Sequence, residues 1–243
     1  MTERASIQVQ GPCSEPVVLD ELARGPVLLF APHPDDEVIG AGGTCLRHAA
    51  AGDEVHVVVV YDGALGRRGF EHMDEAAFVA LRQEECRAAC RALGFASVMF
   101  LGHPEGRELS DDDLAKGAEQ MAALIRRFAP RTVYAPWPGE SHPDHHTLAR
   151  AVAVALDALH ASDGPVPELW TYEVWSTFQP SHVVDISSQW PAKASALALH
   201  HSQASVRDLT HYVEGLNHYR SLYIDRPGAT HAEGLVHVDG GRR

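Results

Sequence analysis

The chain has 243 residues, of which 45% are hydrophobic and 22% are charged, a composition typical of a folded globular protein and not of a disordered chain. Its 33 acidic and 20 basic residues give a formal net charge of −13, and the basic residues form no long run, so a nucleic-acid partner is not expected. The length suits one α/β domain with a single buried core.

Five apolar, β-rich runs recur along the chain, and each predicts a strand that is buried on both faces. These runs cover residues 27–32, 55–61, 97–102, 132–137 and 169–175. Helical patterns lie between them at residues 75–93, 114–128 and 148–160, and the carboxylates of residues 111–113 are expected to cap the second helix. Beyond residue 175 the pattern loosens, with a strand predicted at 182–186 and helices at 190–201 and 208–223.

The alternation of strands and helices predicts βαβ units with right-handed crossovers. We therefore expect an α/β fold, a Rossmann-like three-layer sandwich with a mostly parallel sheet, formed by one domain over residues 17–238. Residues 1–16 and 239–243 are polar or glycine-rich and are expected to be poorly ordered termini. In the doubly wound strand order 3-2-1-4-5, the first and fourth predicted strands are neighbours, and ligands bind beyond their carboxyl ends.

Two polar motifs follow these two neighbouring strands. A-P-H-P-D-D-E spans residues 31–37, and S-H-P-D-H-H spans residues 141–146. Each motif alone fits a proline-stiffened turn that caps a helix, but the predicted strand order brings both to one crevice. Clustered imidazoles and carboxylates suit Zn²⁺ held by three protein ligands with an open position for water, although another divalent metal is compatible. The pair of motifs therefore predicts a metal site.

The two motifs resemble those of the LmbE-like, or PIG-L, family of zinc-dependent N-acetylglucosaminyl deacetylases. The similarity extends to R-x-x-E at residues 82–85, V-V-D-I-S at 183–187, and Lys193 followed by H-H-S-Q at 200–203. It implies the LmbE-like deacetylase fold and hydrolytic removal of an N-acetyl group from an N-acetylglucosamine-type conjugate. It also implies that the partner is a small N-acyl amino sugar.

The resemblance assigns the metal ligands and the base. By this similarity His33, Asp36 and His145 would bind Zn²⁺, and Asp35 would be the general base. A carboxylate beside a metal but not bound to it can accept a proton from metal-activated water. His146 receives no role from the resemblance and is expected on a helix surface.

The resemblance also implies roles for four residues around the reacting amide. His142 would stabilise the developing oxyanion and protonate the leaving amine, and Asp144 would keep His142 protonated. Arg82 and Glu105 would bind sugar hydroxyls. Many relatives have aspartate where this chain has Glu105, and the loop at residues 62–69 also departs from the family, as does Glu140, so the sugar, the acyl group and the aglycone stay open.

Three other functions compete with this interpretation. One is a zinc amidase that acts on another amide, such as a thiol conjugate or a different N-acyl amino sugar. Another is a non-catalytic binding or structural-zinc protein, against which the unliganded Asp35 argues. A dinucleotide-binding module would use Gly40 and Gly42, but Gly40 comes eight residues after Pro32 and Cys45 stands where the last glycine belongs.

Cellular location and assembly receive weaker predictions. The N-terminal residues lack a signal-peptide pattern, and no apolar run reaches the roughly 20 residues that span a bilayer. The four cysteines, among them Cys13, show no CxxC spacing and fit a reducing compartment, so a cytoplasmic protein is expected. The sequence leaves the oligomeric state open, and a homo-oligomer is compatible with it.

Overall fold

The computed structural model describes residues 14–106, 110–162 and 165–238. Eight strands lie in this part of the chain: β1 (Val17–Val18), β2 (Val27–Ala31), β3 (Val55–Tyr61), β4 (Ser97–His103), β5 (Thr132–Pro136), β6 (Glu168–Tyr172), β7 (His182–Asp185) and β8 (Ala232–Val238). Eight α-helices accompany them: α1 (Asp36–Ile39), α2 (Gly42–Ala50), α3 (Glu75–Ala92), α4 (Asp111–Phe128), α5 (Pro143–His160), α6 (Trp190–Leu197), α7 (His201–Ala204) and α8 (Leu209–Arg220). Cys13 and most of the predicted termini lie outside the described residues.

All eight strands belong to one sheet, in the order β1-β7-β8-β6-β5-β2-β3-β4. The section from β4 to β6 is parallel and has the predicted order 3-2-1-4-5, so β2 and β5 are neighbours, with Leu29 opposite Tyr134. This confirms the predicted fold class. The antiparallel strand β8, which pairs with β6 and β7, and the short β1 were not predicted.

Two apolar cores, one on each face of the sheet, create the three layers. Strand β2 contributes residues to both cores, because its side chains alternate between the two faces of the sheet. Val27, Leu29 and Ala31 pack in a cluster with residues of α2, α3, α6 and α8. Leu28 and Phe30 pack in a second cluster with residues of α4 and α5. Burial on both faces explains why β2 reads as a continuous apolar run.

Strand β4 was predicted to be buried on both faces, and this is wrong. It lies at the edge of the sheet, and none of its residues is buried. An edge strand has only one neighbouring strand to cover it. Among the described residues, no helix is both long and apolar enough to cross a membrane.

Several predicted helix bounds also need correction. The cap of α4 is Ser110, which forms a reciprocal capping box with Asp113, while residues 111–113 make the first turn. Helix α5 begins at Pro143, five residues earlier than predicted, because proline suits the first helical position. The helix predicted at 190–201 is split into α6 and α7, and the one predicted at 208–223 ends as α8 at Arg220, followed by a 3₁₀ turn.

Candidate metal centre

The turn after β2 and the first turn of α5 meet at the carboxyl ends of β2 and β5. Here the structure brings together His33, Asp36 and His145, all of them buried. His33 Nδ1 lies 3.2 Å from His145 Nε2 and 3.3 Å from Asp36 Oδ2, and Asp36 Oδ2 lies 3.2 Å from His145 Nε2. In a tetrahedral zinc site, ligand atoms lie about 3.3–3.5 Å from one another. The three predicted ligands therefore have the spacing of a metal site.

The charges around this cluster favour a cation. Asp144 Oδ2 and Glu105 Oε2 each lie 3.1 Å from His33 Nε2. Burial lowers the pKa of His33, but its hydrogen bonds to Asp144, Asp36 and Glu105 outweigh this effect and raise the pKa well above its usual value. Burial also opposes ionisation of Asp36, yet His145 and His33 hold the pKa of Asp36 far below its usual range. Surroundings that favour a protonated imidazole also favour a bound metal ion.

Asp35 lies beside the three predicted ligands and outside the cluster that they form. Its backbone has φ 133° and ψ −31°, a region that a non-glycine residue adopts only when its surroundings enforce it. The Asp35 amide donates to Glu37 Oε2 at 2.8 Å, which holds this turn in place. Burial raises the pKa of Asp35 to about 6, although the nearby Arg82 guanidinium opposes the shift. A carboxyl with such a pKa can exchange protons near neutral pH.

Arg82 and Glu105 line the crevice that leads to these residues, a cavity of about 330 Å³. Arg82 donates to the carbonyl oxygens of Gly63 at 2.9 Å and Pro34 at 2.7 Å, and its Nη2 lies 3.3 Å from Asp35 Oδ2. Glu105 accepts a hydrogen bond from the Leu65 amide. In this structure the described contacts of Arg82 therefore hold the turn that presents Asp35.

The contact between His142 and Asp144 that the sequence analysis expected is long, and Asp144 lies closer to His33. Asp144 Oδ2 lies 3.9 Å from His142 Nδ1, against 3.1 Å from His33 Nε2, and both Asp144 oxygens accept from the Gly106 amide. His142 instead caps α5, accepting the Asp144 N–H at Nδ1. Burial and the neighbouring His33 and His145 lower the pKa of His142, although Asp144 acts to raise it. Asp144 thus contacts the ring nitrogen of His33 on the side away from the ligand cluster, as carboxylates often do beside metal-binding imidazoles.

Glu140 is a buried carboxylate whose role the sequence left open. It accepts hydrogen bonds from three successive backbone amides, those of Val174, Trp175 and Ser176, at 2.7–3.3 Å. Its Oε2 lies 3.8 Å from His145 Nδ1, the nitrogen of His145 that points away from the ligand cluster. Glu140 therefore joins the loop after β6 to the surroundings of His145. The one sequence signal for this role of Glu140 is its position directly before the S-H-P-D-H-H motif.

Glu37 and His200 form a buried pair behind Asp35. His200 Nε2 lies 2.9 Å from Glu37 Oε1, while Glu37 Oε2 accepts the Asp35 amide. Burial lowers the pKa of His200, but the Glu37 carboxylate outweighs this and raises it. His146, by contrast, is exposed, as expected of a helix-surface residue, and its Nδ1 lies 2.6 Å from the Pro138 carbonyl oxygen.

A mostly parallel α/β sheet with a cluster of His and Asp side chains at its switch point defines a candidate metal-dependent enzyme. The sequence model of a family described as "PIG-L: GlcNAc-PI de-N-acetylase" matches residues 28–156. This match covers just over half of the chain, so the protein belongs to the PIG-L family.

Three similar proteins put this membership in context. The chain is 31% identical to the probable N-acetyl-alpha-D-glucosaminyl L-malate deacetylase 2 of Bacillus cereus, over 73% of this chain and 83% of that protein. The solved N,N'-diacetylchitobiose deacetylase of Pyrococcus horikoshii has TM-score 0.76 and 25% identity, over 88% of this chain and 84% of that one. The 4-carboxy-2-hydroxymuconate hydratase of Pseudomonas putida has TM-score 0.75 and 24% identity, over 88% and 96%. Since a hydratase shares the fold, the fold alone does not fix the reaction.

Proposed function

We propose that this protein removes the N-acetyl group from an N-acetylglucosamine-type sugar conjugate by hydrolysing its amide, with Zn²⁺ held by His33, Asp36 and His145. The observation that carries the proposal is the convergence of three ligand atoms, 3.2–3.3 Å apart, beside the unliganded carboxyl of Asp35. Membership of the PIG-L family and the deacetylase relatives support the same reaction.

Zn²⁺ at these ligands would lower the pKa of a water molecule to about 7 and polarise the acetyl carbonyl. Asp35 accepts the proton of the attacking water, and Arg82 keeps that carboxyl oriented toward the crevice. As the carbon–oxygen bond forms and the carbon–nitrogen bond breaks, Asp35 returns this proton to the leaving amine. Acetate and the free amino sugar are the products.

His142 stabilises the oxyanion as a hydrogen-bond donor. Its Nδ1 accepts the Asp144 N–H, so a neutral ring carries its proton on Nε2. The lowered pKa of His142 favours this neutral form, in place of the protonated ring that the family resemblance implies. Asp144 acts by fixing the orientation of His33.

The sugar occupies the crevice lined by Arg82 and Glu105. At the rim, Leu65 and Trp175 expose 72% and 39% of their surface. These apolar side chains suit one face of a sugar ring or its aglycone.

The test is acetate release from N-acetylglucosaminyl compounds, among them diacetylchitobiose and an N-acetylglucosaminyl malate, with and without a chelator. Asp35→Asn should retain the Zn²⁺ held by His33, Asp36 and His145 and lose about 10²–10⁴-fold in kcat. His145→Ala should lose the Zn²⁺ of this site and the activity, whereas His146→Ala, at the exposed neighbouring position, should change neither.

Two results would overturn the proposal. Retention of kcat within about threefold in Asp35→Asn would exclude Asp35 as the base. The second result is a protein that binds zinc fully but releases acetate from no N-acetyl substrate. The metal site would then stand while the glucosaminyl part of the proposal failed, which would favour a zinc amidase that acts on another amide.

A further inference from the structure

We propose that Glu214, His218 and His231 form a second divalent-metal site, which takes Zn²⁺ or a metal of similar ligand preference and joins helix α8 to strand β8. Glu214 and His218 lie on α8, and His231 directly precedes β8. One ligand atom from each lies within 4.8 Å of the other two. None of the three belongs to the candidate metal centre at the carboxyl ends of β2 and β5.

The strongest evidence that a metal ion binds here comes from His231. Its side chain is 8% exposed, and its Nε2 has no hydrogen-bond partner among the described residues. Three contacts hold the ring in place: Nδ1 lies 2.9 Å from Thr230 Oγ1, the Trp190 ring stacks on it at 4.5 Å and 9°, and the centroid of the His218 ring lies 4.1 Å from its own. A buried ring nitrogen without a hydrogen-bond partner destabilises the folded state. A metal ion bound at Nε2 would remove this destabilisation.

Glu214 and His218 complete the ligand set from the adjacent helix. Residues four apart lie on one face of a helix, and Glu214 Oε1 is 3.7 Å from His218 Nε2 and 3.9 Å from His231 Nε2. These separations exceed the roughly 3.3–3.5 Å between ligands in a tetrahedral zinc site by a few tenths of an ångström. Because Glu214 and His218 are about half exposed, both can shift by this amount without disturbing the core.

The chemistry of the side chains agrees with this geometry, because a neutral imidazole and an ionised carboxylate are the forms that bind a metal. Two imidazoles and a carboxylate form a nitrogen and oxygen ligand set that suits Zn²⁺, with a fourth position left to water at the exposed side.

An ion bound at this site would not act on substrate. It would stabilise the residues that support the turn of Asp35 and Asp36. Asn217 of α8 and Glu233 of β8 both bind the Lys193 ammonium, which also donates to the Ile39 carbonyl at the end of α1. Helix α1 begins at Asp36, one of the three ligands of the first site. We therefore expect occupancy of the second site to raise thermal stability and to leave kcat unchanged.

The experiment measures Zn²⁺ stoichiometry and the Zn²⁺-dependent change in Tm. The purified protein should bind two equivalents, His218→Ala one, and the control His211→Ala, which removes an exposed histidine of the same helix, two. His218→Ala is chosen because its ring is half exposed, so the variant should fold and keep its deacetylase activity. In a His145→Ala background, which removes a ligand of the first site, Zn²⁺ should still raise Tm, and adding His218→Ala should abolish this rise.

The proposal is overturned if His218→Ala binds as much Zn²⁺ as the unmodified protein, or if Zn²⁺ raises the Tm of the double variant as much as that of His145→Ala. Binding at α8 only above about 1 mM Zn²⁺ would equally exclude a site of physiological use. These results do not depend on catalysis, so failure of the second site and failure of the proposed deacetylase are distinguishable.

Discussion

Replacing Lys193 with methionine should destabilise the protein by about 3–5 kcal/mol, because it leaves the carboxylate of Glu233 buried without its cation. Neither Lys193 nor Glu233 exposes more than 1% of its side chain. The ammonium donates to Glu233 Oε1 at 2.6 Å, the Ile39 carbonyl at 3.0 Å and Asn217 Oδ1 at 3.1 Å. Methionine keeps most of the apolar volume of the side chain, so the lost charge and its hydrogen bonds dominate the effect.

For a chain of this length, each kcal/mol shifts Tm by about 2–4 °C, so Tm should fall by about 6–20 °C. Urea unfolding gives the free energy directly, and Glu233→Gln with the double variant completes a cycle that isolates the Lys193–Glu233 interaction. Lys116→Met is the matched control, since Lys116 is an exposed lysine paired with Asp112 and should change stability by less than about 0.5 kcal/mol. A loss below about 1 kcal/mol in Lys193→Met would refute the reasoning.

Three further predictions follow from the site and its supports. Gly40→Ala should cost about 1–3 kcal/mol in urea unfolding, because a Cβ there would lie 2.2 Å from the ring of Tyr172, whose hydroxyl donates to the Phe30 carbonyl of β2. The pKa of His200 is raised by Glu37, so the stability of that pair is complete below the unfolded pKa of about 6.5 and is lost as pH rises through the folded pKa. His200→Gln should therefore remove part of the alkaline loss in the free energy of unfolding. Trp175→Ala should raise KM about threefold to tenfold at unchanged kcat, which corresponds to about 0.7–1.4 kcal/mol of binding.

Each of these predictions has a control at a comparable position. Gly215→Ala introduces a Cβ with no atom within 4 Å and should not destabilise α8. His201→Gln, at the exposed neighbour of His200, should keep the pH dependence of the unmodified protein. Tyr212→Ala removes an exposed aromatic side chain that does not line the crevice and should leave KM unchanged. An effect of the control as large as that of its test variant would contradict the corresponding prediction.

The parallel part of the fold follows from the sequence because β2, β3 and β5 are covered on both faces and consist mainly of apolar residues. Strand β8 escaped prediction because its run contains Glu233 and Gly234, which disfavour strands. Glu233 is tolerated there because Lys193 and the amides of Gly43 and Thr44 meet its carboxylate. None of these partners is near it in sequence.

The candidate site likewise has a part that the sequence could predict and a part that it could not. His33, Asp36 and His145 could be brought together from the strand order alone, since each follows the carboxyl end of β2 or β5. The partner of Asp144 could not, because the direction of that carboxylate depends on α5 beginning at Pro143. Contacts that depend on where a helix starts or which path a loop takes can be known only from coordinates. Contacts that depend on strand order can be predicted from the sequence pattern.

The position of β8 between β7 and β6 also determines the stage of synthesis at which the sheet can be completed. β2 to β6 can pair with one another as they leave the ribosome, but the β1–β7 pair can join them only when residues 232–238 have been synthesised. The same residues bring Glu233, without which Lys193 has no anion to support it under the turn that holds Asp35 and Asp36. A nascent or truncated chain that stops before β8 should therefore lack a working crevice, which couples the onset of catalysis to completion of the last strand.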